Sequence, residues 1–430
     1  MNGTLATVGV FILLNVAVCR MNLALAGSAS QRQPTWGRVL IVGEEQEGNG
    51  TSPFVAELYD PALNRFVNRP PRIKMERIGA TATVIPTGPD AGKVLVAGGY
   101  SDTIGPLTST ELYAPAIDRF VQGPDMRSDL VDHTATVIPS GPQAGNILLI
   151  GPDSYAELYD PLAKIFTEGP RLAHIFIGHT ATIIPIGPNA GKILLAGGGQ
   201  SPDAIRHGDR GVTEKDEAAT TELYVPATNT VVRGPKMNIA REYHTATVIL
   251  CGTNAGKILL VGGQDRKFRA LASTELYDSR KNEFAAPGAT ANMSVPRAFH
   301  TATVIHNGPN TGKILIAGGQ TDDHHSLSST ELYDPLTNRF VSGPEMHSRR
   351  SQHVAIPIAY GPNKGKILIA AGVDVGIELK CDEHAKCSEI QLSSTELYDP
   401  ITNAFEPGPS MYDTPGRVVA VQLPAAPPAR

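Results

Sequence analysis

Histidine recurs at one position of a repeated motif and is the first candidate for chemistry. The motif reads His-Thr-Ala-Thr-Val-Ile-Pro or a variant of it, and its histidines are His133, His179, His244, His300 and His353. Imidazole serves as a metal ligand and as a general acid or base near neutral pH. Because five separate repeats carry these histidines, a single ion cannot collect them. We therefore expect a structural role, with each ring hydrogen-bonded to the backbone of a neighbouring repeat, and we expect no metal site and no cofactor.

A glutamate and an arginine also recur, and they could pair with each other or bind an anion. Glutamate opens the motif Glu-Leu-Tyr at Glu57, Glu111, Glu157, Glu222, Glu275, Glu331 and Glu396. Arginine lies three residues before three of the motif histidines, at Arg241, Arg297 and Arg350, and Arg77 has the same position before Ala80. A carboxylate on a buried strand needs a charged partner or strong hydrogen bonds. We expect structural pairing, and anion recognition at a channel mouth is the alternative.

The remaining candidate binding residues lie in segments that differ between repeats. They are Arg206, His207 and Arg210 in one insertion, Arg266 and Arg269 in a second segment, and Asp322, His324 and His325 in a third. The second segment also holds Phe268 and could grip an acidic partner or a sugar. The third has the ligand types for a divalent ion, although adjacent residues seldom all chelate one ion. Solvated loops without a partner are the alternative for these segments.

Composition excludes several classes of protein. Lysine and arginine total 37 against 42 for aspartate and glutamate, so there is no basic excess for general nucleic-acid binding. The 43 glycines and 34 prolines interrupt the chain too often for a helical bundle, and 41% hydrophobic residues are too many for a disordered chain. The sequence holds no Gly-x-Ser-x-Gly element, phosphate-binding loop or His-Glu-x-x-His motif.

Four motifs recur in a constant order and predict the elements that position these residues. Glu-Leu-Tyr appears seven times, about 56 residues apart on average, and a Gly-Lys-Ile-Leu-Leu-Ala-Gly-Gly run or variant precedes each copy. That run is apolar throughout, as expected for a strand buried on both faces. Thr-Ala-Thr-Val-Ile is rich in β-branched residues, and the fourth motif, Asn-Arg-Phe-Val-x-Gly-Pro, ends at a proline that suits an edge strand. Each unit is therefore predicted to form four antiparallel strands, a to d, that stack on further copies.

The number of predicted strands indicates a closed ring. Strands b, c and d of the first unit lie in residues 37–68 without a strand a, and six complete units follow. A further β-type run, residues 416–422, comes after the last unit. It supplies the missing strand a, completes a seventh unit and leaves few exposed sheet edges. We predict an all-β fold, a seven-bladed β-propeller over residues 37–423, with a Pro/Ala-rich tail at 424–430.

In these features the chain resembles the kelch-repeat family of β-propellers. The matching residues are the double glycine that ends strand b, as in Gly98-Gly99 and Gly318-Gly319, the tyrosine of strand c and the aromatic residue of strand d. The family usually has tryptophan in strand d, where most copies here have phenylalanine. Blades 3 and 7 depart from the double glycine, with Gly151-Pro152 and Ala371-Gly372. The resemblance implies a non-catalytic binding domain or, in a few cases, an enzyme. The tyrosine, cysteine and histidine set of the family's copper oxidases has no match here.

The first residues form an apolar run, 5–19, that is short for a membrane span and is followed by small residues. We interpret residues 1–29 as a secretory signal peptide, and an uncleaved anchor or a start at Met21 are the alternatives. Export would allow Cys381 and Cys387, which lie in one polar loop, to form a disulfide. We expect Cys251, in an apolar strand, to act as a small buried hydrophobe.

We expect the functional residues to lie in the segments that differ between blades. The b–c and d–a connections share one face of the ring, and the b–c loops vary strongly, whereas the a–b turns on the other face are nearly uniform. We therefore expect a secreted, periplasmic or cell-surface monomer that recognises a protein or glycan through the b–c loop face without catalysis. A carbohydrate-active enzyme of the mutarotase or lyase kind, with a pocket at the channel mouth, is the alternative.

Overall fold

The fold is a ring of seven four-stranded antiparallel sheets, as the repeats predict. The computed structural model describes residues 37–43, 56–67, 71–151, 155–173, 177–199, 219–376, 390–413 and 416–425. Within these ranges no helix is long and apolar enough to cross a membrane.

The seven blades have the same strand order, a to d, from the channel outward. Blade 1 consists of β32 (Val418–Gln422), β1 (Val39–Gly43), β2 (Glu57–Asp60) and β3 (Arg65–Phe66). Blade 2 consists of β4 (Thr81–Val84), β5 (Val94–Ala97), β8 (Thr110–Ala114) and β9 (Arg119–Gln122). Blade 3 consists of β10 (Thr134–Val137), β11 (Ile147–Ile150), β12 (Tyr155–Asp160) and β13 (Ile165–Arg171). Blade 4 consists of β14 (Thr180–Ile183), β15 (Ile193–Ala196), β16 (Thr221–Val225) and β17 (Thr230–Arg233).

The remaining blades follow the same plan. Blade 5 consists of β18 (Thr245–Val248), β19 (Ile258–Val261), β20 (Thr274–Asp278) and β21 (Glu283–Phe284). Blade 6 consists of β22 (Thr301–Val304), β23 (Ile314–Ala317), β24 (Thr330–Asp334) and β25 (Arg339–Ser342). Blade 7 consists of β26 (Val354–Pro357), β27 (Ile367–Ala370), β30 (Thr395–Asp399) and β31 (Ala404–Pro407). Small hairpins extend two b–c loops, β6 (Tyr100–Ser101) with β7 (Gly105–Pro106) and β28 (Val373–Asp374) with β29 (Ile390–Gln391).

The ring closes inside blade 1, where the last strand of the chain pairs with the first. β32 lies antiparallel to β1 over five residue pairs, from Val39 opposite Gln422 to Gly43 opposite Val418. Beyond this ladder, the Leu423 amide donates to the Arg38 carbonyl at 2.8 Å. The strand count therefore predicted the closure correctly.

The core lies between blades rather than inside them. Seven apolar clusters each combine residues of two adjacent blades. Strand β23 shows why strand b is apolar at every position. Leu315 packs toward blade 7, whereas Ile314 and Ile316, on the opposite face, pack toward blade 5. Because side chains alternate along a strand, a strand between two neighbours buries both faces.

The c–d turn of most blades is held by the strand-c tyrosine. In blade 6 the Tyr333 hydroxyl donates to Asn338 Oδ1 at 2.9 Å, and Asn338 has a left-handed φ of 54°. The Tyr333 ring also lies 5.1 Å from Phe340, which occupies the usual tryptophan position. Blade 3 has Lys164 instead of asparagine, and the buried Tyr159 hydroxyl has no hydrogen-bond partner among the described residues.

The a–b turns lock each blade to the next on the face opposite the b–c loops. Gly308 of blade 6 has a φ of 73°, and a Cβ placed on it would lie 2.2 Å from the Pro400 carbonyl oxygen of blade 7. The other turn glycines that meet a c–d turn carbonyl in this way are Gly88, Gly141, Gly187, Gly252 and Gly361. This close approach explains why the a–b turns are nearly uniform.

Candidate functional site

Seven residues, one from each blade, surround one mouth of the central channel, just before strand a begins. We call them the mouth ring: Gly79, Asp132, Gly178, Tyr243, Phe299, Gln352 and Arg417. The first six have φ values between 52° and 70°. Residues other than glycine seldom adopt this left-handed conformation, which costs roughly 1–2 kcal/mol for an ordinary residue. The ring sits among the scaffold motifs, yet its side chains differ from blade to blade.

Backbone hydrogen bonds connect neighbouring members of the mouth ring. The Asp132 amide donates to the Gly79 carbonyl at 2.9 Å, and the Tyr243 amide donates to the Gly178 carbonyl at 2.8 Å. The Phe299 amide likewise donates to the Tyr243 carbonyl at 3.2 Å, and the Gln352 amide donates to the Phe299 carbonyl at 3.0 Å. These bonds cross four blade interfaces. Because they involve only backbone groups, they explain the left-handed conformation whatever side chain the residue carries.

A cavity of about 390 Å³ opens at this mouth, and the mouth ring lines it. One wall is aromatic, because the rings of Tyr243 and Phe299 lie 4.3 Å apart with 32° between their planes. Asp132 and Arg417 bring one charge of each sign, and Gln352 adds an amide. Such a set can stack on a flat apolar group while it forms charged and neutral hydrogen bonds.

The electrostatic environment of Tyr243 shows that these groups act on one another. Burial raises the pKa of the Tyr243 hydroxyl, and the negative charges of Asp132 and Glu242 raise it further. The positive charge of Arg417, which is exposed, opposes that rise. Tyr243 therefore stays a neutral hydrogen-bond donor and acceptor at physiological pH.

The five motif histidines join adjacent blades, and four of them, all but His244, line the cavity. Each Nε2 lies 2.8–3.0 Å from a threonine hydroxyl at the start of strand a in the preceding blade: Thr81 with His133, Thr134 with His179, Thr180 with His244, Thr245 with His300, and Thr301 with His353. The bond reaches a side chain rather than the backbone that we expected. Burial lowers the pKa of His133 and of His300 to about 3, so both are neutral at physiological pH.

The strand-c glutamates hold the d–a loop that enters their own blade. In blade 6, Glu331 accepts from the backbone amides of Ser294 and Val295 at 2.8 and 3.1 Å, and Arg297 Nη2 lies 3.2 Å away. Arg297 is fully buried, and its Nη1 also donates to two backbone carbonyls. The same pairs in other blades are Arg77–Glu111, Arg241–Glu275 and Arg350–Glu396. These contacts are those of a scaffold.

The remaining three glutamates have no arginine at the corresponding position. Glu157 accepts from the amides of Arg127 and Ser128, and Glu222 accepts from the Ala173 amide. Glu57 of blade 1 accepts from two backbone amides through Oε1, while its buried Oε2 has no partner among the described residues. Burial is the largest single influence on the Glu57 carboxyl and raises its pKa to about 7.

The candidate binding residues of the b–c loops lie away from the mouth cavity. Arg269 forms two hydrogen bonds to Asp265 of its own loop, at 2.9 and 2.6 Å. Asp322 accepts from the Ala270 amide and so joins the loops of blades 5 and 6. Arg266 and His325 sit on the same two loops, and His324 is exposed at a left-handed turn position. None of these five side chains lines the cavity.

Some candidates fall outside the described residues. These are Arg206, His207 and Arg210 of the blade 4 insertion, the Cys381 and Cys387 pair, and the expected signal peptide. Within the described ranges, no three histidine, cysteine, aspartate or glutamate side chains are placed to hold a metal ion. Cys251 is buried and is not in a disulfide.

The reasoning from sequence missed the mouth ring. Its members directly precede a repeated motif, so they resemble scaffold residues, and the longer loops are the more obvious candidates. A signal was nevertheless present, because aligning the seven repeats on strand a shows variable residues directly before a position that is histidine in five of them.

Comparison with known proteins agrees with this architecture. The model of the kelch motif matches residues 296–347, which include all four strands of blade 6. The F-box/kelch-repeat protein SKIP30 of Arabidopsis thaliana is 40% identical over 57 residues, 13% of this chain and 15% of that protein. Kelch-like protein 38 of Danio rerio is 30% identical over 112 residues, 25% of this chain and 17% of that protein. Kelch-like protein 34 of Homo sapiens is 29% identical over 150 residues, 34% and 20% of the two chains.

The aligned parts are thus a fifth or less of the length of these three relatives. The fold defines the class of protein, a closed seven-bladed β-propeller. The motif match and the relatives support the resemblance of this propeller to kelch-repeat proteins.

Proposed function

We propose that this chain is a non-catalytic binding protein that holds a segment of a partner protein at the mouth ring. The observation that carries the proposal is the cavity at the channel mouth, which is lined by mouth-ring side chains that differ from blade to blade. Kelch propellers commonly bind proteins, which makes a protein the partner that we favour. The b–c loop segments Arg266–Arg269 and Asp322–His325 belong to the same face of the ring as the mouth and would extend the contact surface.

The chemistry of the cavity suggests what the bound segment contains. The Tyr243–Phe299 wall suits an aromatic or apolar side chain, which would lose its hydration on entry. Arg417 is exposed and has no ion-pair partner among the described residues, so it can receive a carboxylate. The proposed ligand is therefore a peptide segment with an apolar side chain next to an acidic one.

Two further parts of the proposal rest on the sequence. The apolar run at 5–19 supports a site of action outside the cytoplasm, either secreted, periplasmic or at the cell surface. A glycan is the second candidate ligand, because sugar rings also stack on aromatic faces such as those of Tyr243 and Phe299. The enzyme alternative stays a prediction.

Glycine variants of the mouth ring test the proposal without disturbing the backbone. Glycine already occupies two ring positions, and it adopts left-handed φ values without strain. Phe299→Gly is therefore expected to fold and to lose about thirtyfold in affinity, as expected for an aromatic anchor that contributes about 2 kcal/mol. The control is Phe268→Gly, at a b–c loop tip with φ of 59° against 56° for Phe299.

The probe is a displayed library of random peptides, selected on the full chain, together with a glycan array. Selected peptides should share an acidic residue beside an apolar one, and Phe299→Gly should weaken them while Phe268→Gly does not. Peptides that bind Phe299→Gly as tightly as the parent would refute the mouth site. Enrichment on the glycan array alone would refute the protein partner.

A further inference from the structure

The face opposite the b–c loops carries an arc of exposed apolar side chains. They lie at the tips of the c–d turns, one in each of five blades, with exposed fractions between 57% and 70%: Leu63, Ile117, Leu162, Leu336 and Ile401. Single exposed hydrophobic residues are common on protein surfaces and need no explanation. Five at equivalent turns form a pattern that the scaffold does not require, because blades 4 and 5 fold without it.

The arc is continuous around the ring. Its members belong to blades 6, 7, 1, 2 and 3, which are consecutive, with blade 1 in the centre. The two blades outside the arc have the exposed residues Ala227 and Thr228 or Arg280 and Lys281 in the corresponding turns. The face is therefore divided into an apolar side and a polar side.

The N-terminal residues enter the fold in the middle of this arc. Arg38 Nε lies 3.4 Å from Asp60 and its Nη1 lies 3.6 Å from Asp118, and both aspartates belong to c–d turns. Gly37 lies against the ring of Tyr360 in the a–b turn of blade 7. The preceding 36 residues, including the apolar run 5–19, therefore connect to the ring at the centre of the apolar side.

Positive charge accompanies the apolar tips. Arg65, Arg119 and Arg339 begin strand d just after the tips of blades 1, 2 and 6, and all three are exposed. They have no ion-pair partner among the described residues, whereas the turn acids Asp334 and Asp399 lie near lysines. Apolar tips with free cations match the boundary between acyl chains and anionic headgroups of a bilayer.

We propose that the uncleaved chain rests on an anionic membrane through this arc. The run at 5–19 anchors the chain, the five tips dip into the interface, and the arginines contact headgroups. The mouth ring then points away from the bilayer, because it lies on the opposite face. This inference is independent of the ligand proposed for the mouth.

Tryptophan quenching by lipid tests the orientation in the full chain. Trp36, the single tryptophan, is replaced by phenylalanine, and a new tryptophan is placed by Leu336→Trp on the arc or by Phe268→Trp on the b–c face. The two positions are similarly exposed, at 67% and 60%. Vesicles contain phosphatidylcholine and phosphatidylglycerol with brominated acyl chains.

The arc tryptophan is expected to lose about half of its emission or more, because its ring would reach the brominated zone about 5–10 Å deep. The Phe268→Trp emission should stay unchanged. Equal quenching of both positions, or quenching of neither, overturns the proposal. An emission change that follows protein concentration without brominated lipid would assign the arc to a second copy of the chain and also overturn it. Loss of peptide binding at the mouth would leave these results unaffected.

Discussion

Acid should destabilise the ring through its buried histidines. The pKa of His133 and of His300 is about 3 in the folded chain, against about 6.5 when exposed. A lowered histidine pKa means that the unfolded chain binds more protons, so the stability is present above pH 6.5 and is lost as the pH falls toward 3. At pH 5 each of these two histidines removes about 2 kcal/mol from the free energy of unfolding.

The Glu57 carboxyl works in the opposite direction, as do those of Glu242 and Asp413, whose pKa values burial also raises. The pKa of Glu57 is raised from 4.5 to about 7, so the folded chain binds this proton more readily than the unfolded chain. Its contribution grows by about 2 kcal/mol between pH 7 and pH 5, which offsets one histidine. For His133, His300 and Glu57 taken together, the loss at pH 5 is then about 2 kcal/mol. Burial lowers the pKa of His244 and of His353 as well, which makes the loss larger.

Urea unfolding at pH 7, 6 and 5 measures this effect, with His300→Gln as the comparison. Glutamine keeps an amide that can bond the Thr245 hydroxyl, but it does not titrate. The slope of the unfolding free energy against pH reports the number of protons taken up on unfolding. Between pH 5 and 6 this slope should be smaller in the variant by about one proton. A parent stability that is constant or rises from pH 7 to pH 5 would contradict the reasoning. So would an unchanged slope in His300→Gln.

Three substitutions probe the scaffold by thermal or chemical unfolding. Lys164→Asn should leave stability within about 1 kcal/mol of the parent, because the acceptor that it gives the buried Tyr159 hydroxyl is offset by loss of the ion pair between Lys164 and the buried Asp90; a gain of about 2 kcal/mol or more would show that the unpaired hydroxyl dominates. Gly308→Ala should lower the free energy of unfolding by about 2 kcal/mol more than Gly288→Ala does. The two glycines have similar φ values, 73° for Gly308 and 80° for Gly288, but only Gly308 meets a neighbouring carbonyl. Equal losses of stability would contradict the steric argument. Glu331→Ala should destabilise by about 3 kcal/mol, because Arg297 stays buried without its carboxylate, while affinity at the mouth is unchanged; lost binding at an unchanged midpoint would show that Glu331 acts on the ligand.

The repeats allowed most of the fold to be predicted, because the residue pattern of each motif indicates which strand of the blade it forms. A strand that is apolar at every position, such as β23, has to lie between two neighbours, and the unmatched runs at the two ends have to pair. The partner of His300 was harder to foresee. Its ring reaches a threonine about one repeat away, and which polar group of the neighbouring strand faces it depends on blade stagger.

The mouth ring shows the limit of reasoning from pattern. Tyr243 and Phe299 belong to different blades, and only the curvature of the ring brings their rings within 4.3 Å. The pair is therefore invisible in the local sequence around either residue. Composition pointed instead to longer segments such as Asp322–His325, where the Asp322 side chain joins two loops and the backbone bonds within its own turn.

The pairing of the last strand with the first in blade 1 has a consequence for biosynthesis. Residues 418–422 leave the ribosome after every other blade has been made, while their partner strand emerges first. Throughout translation the free edge of β1 is open to any passing strand, the hazard that unpaired edges present. A polypeptide terminated before residue 418 could never become circular and would remain a target for chaperones and proteases. Closure of the ring therefore depends on synthesis of the chain through residue 422.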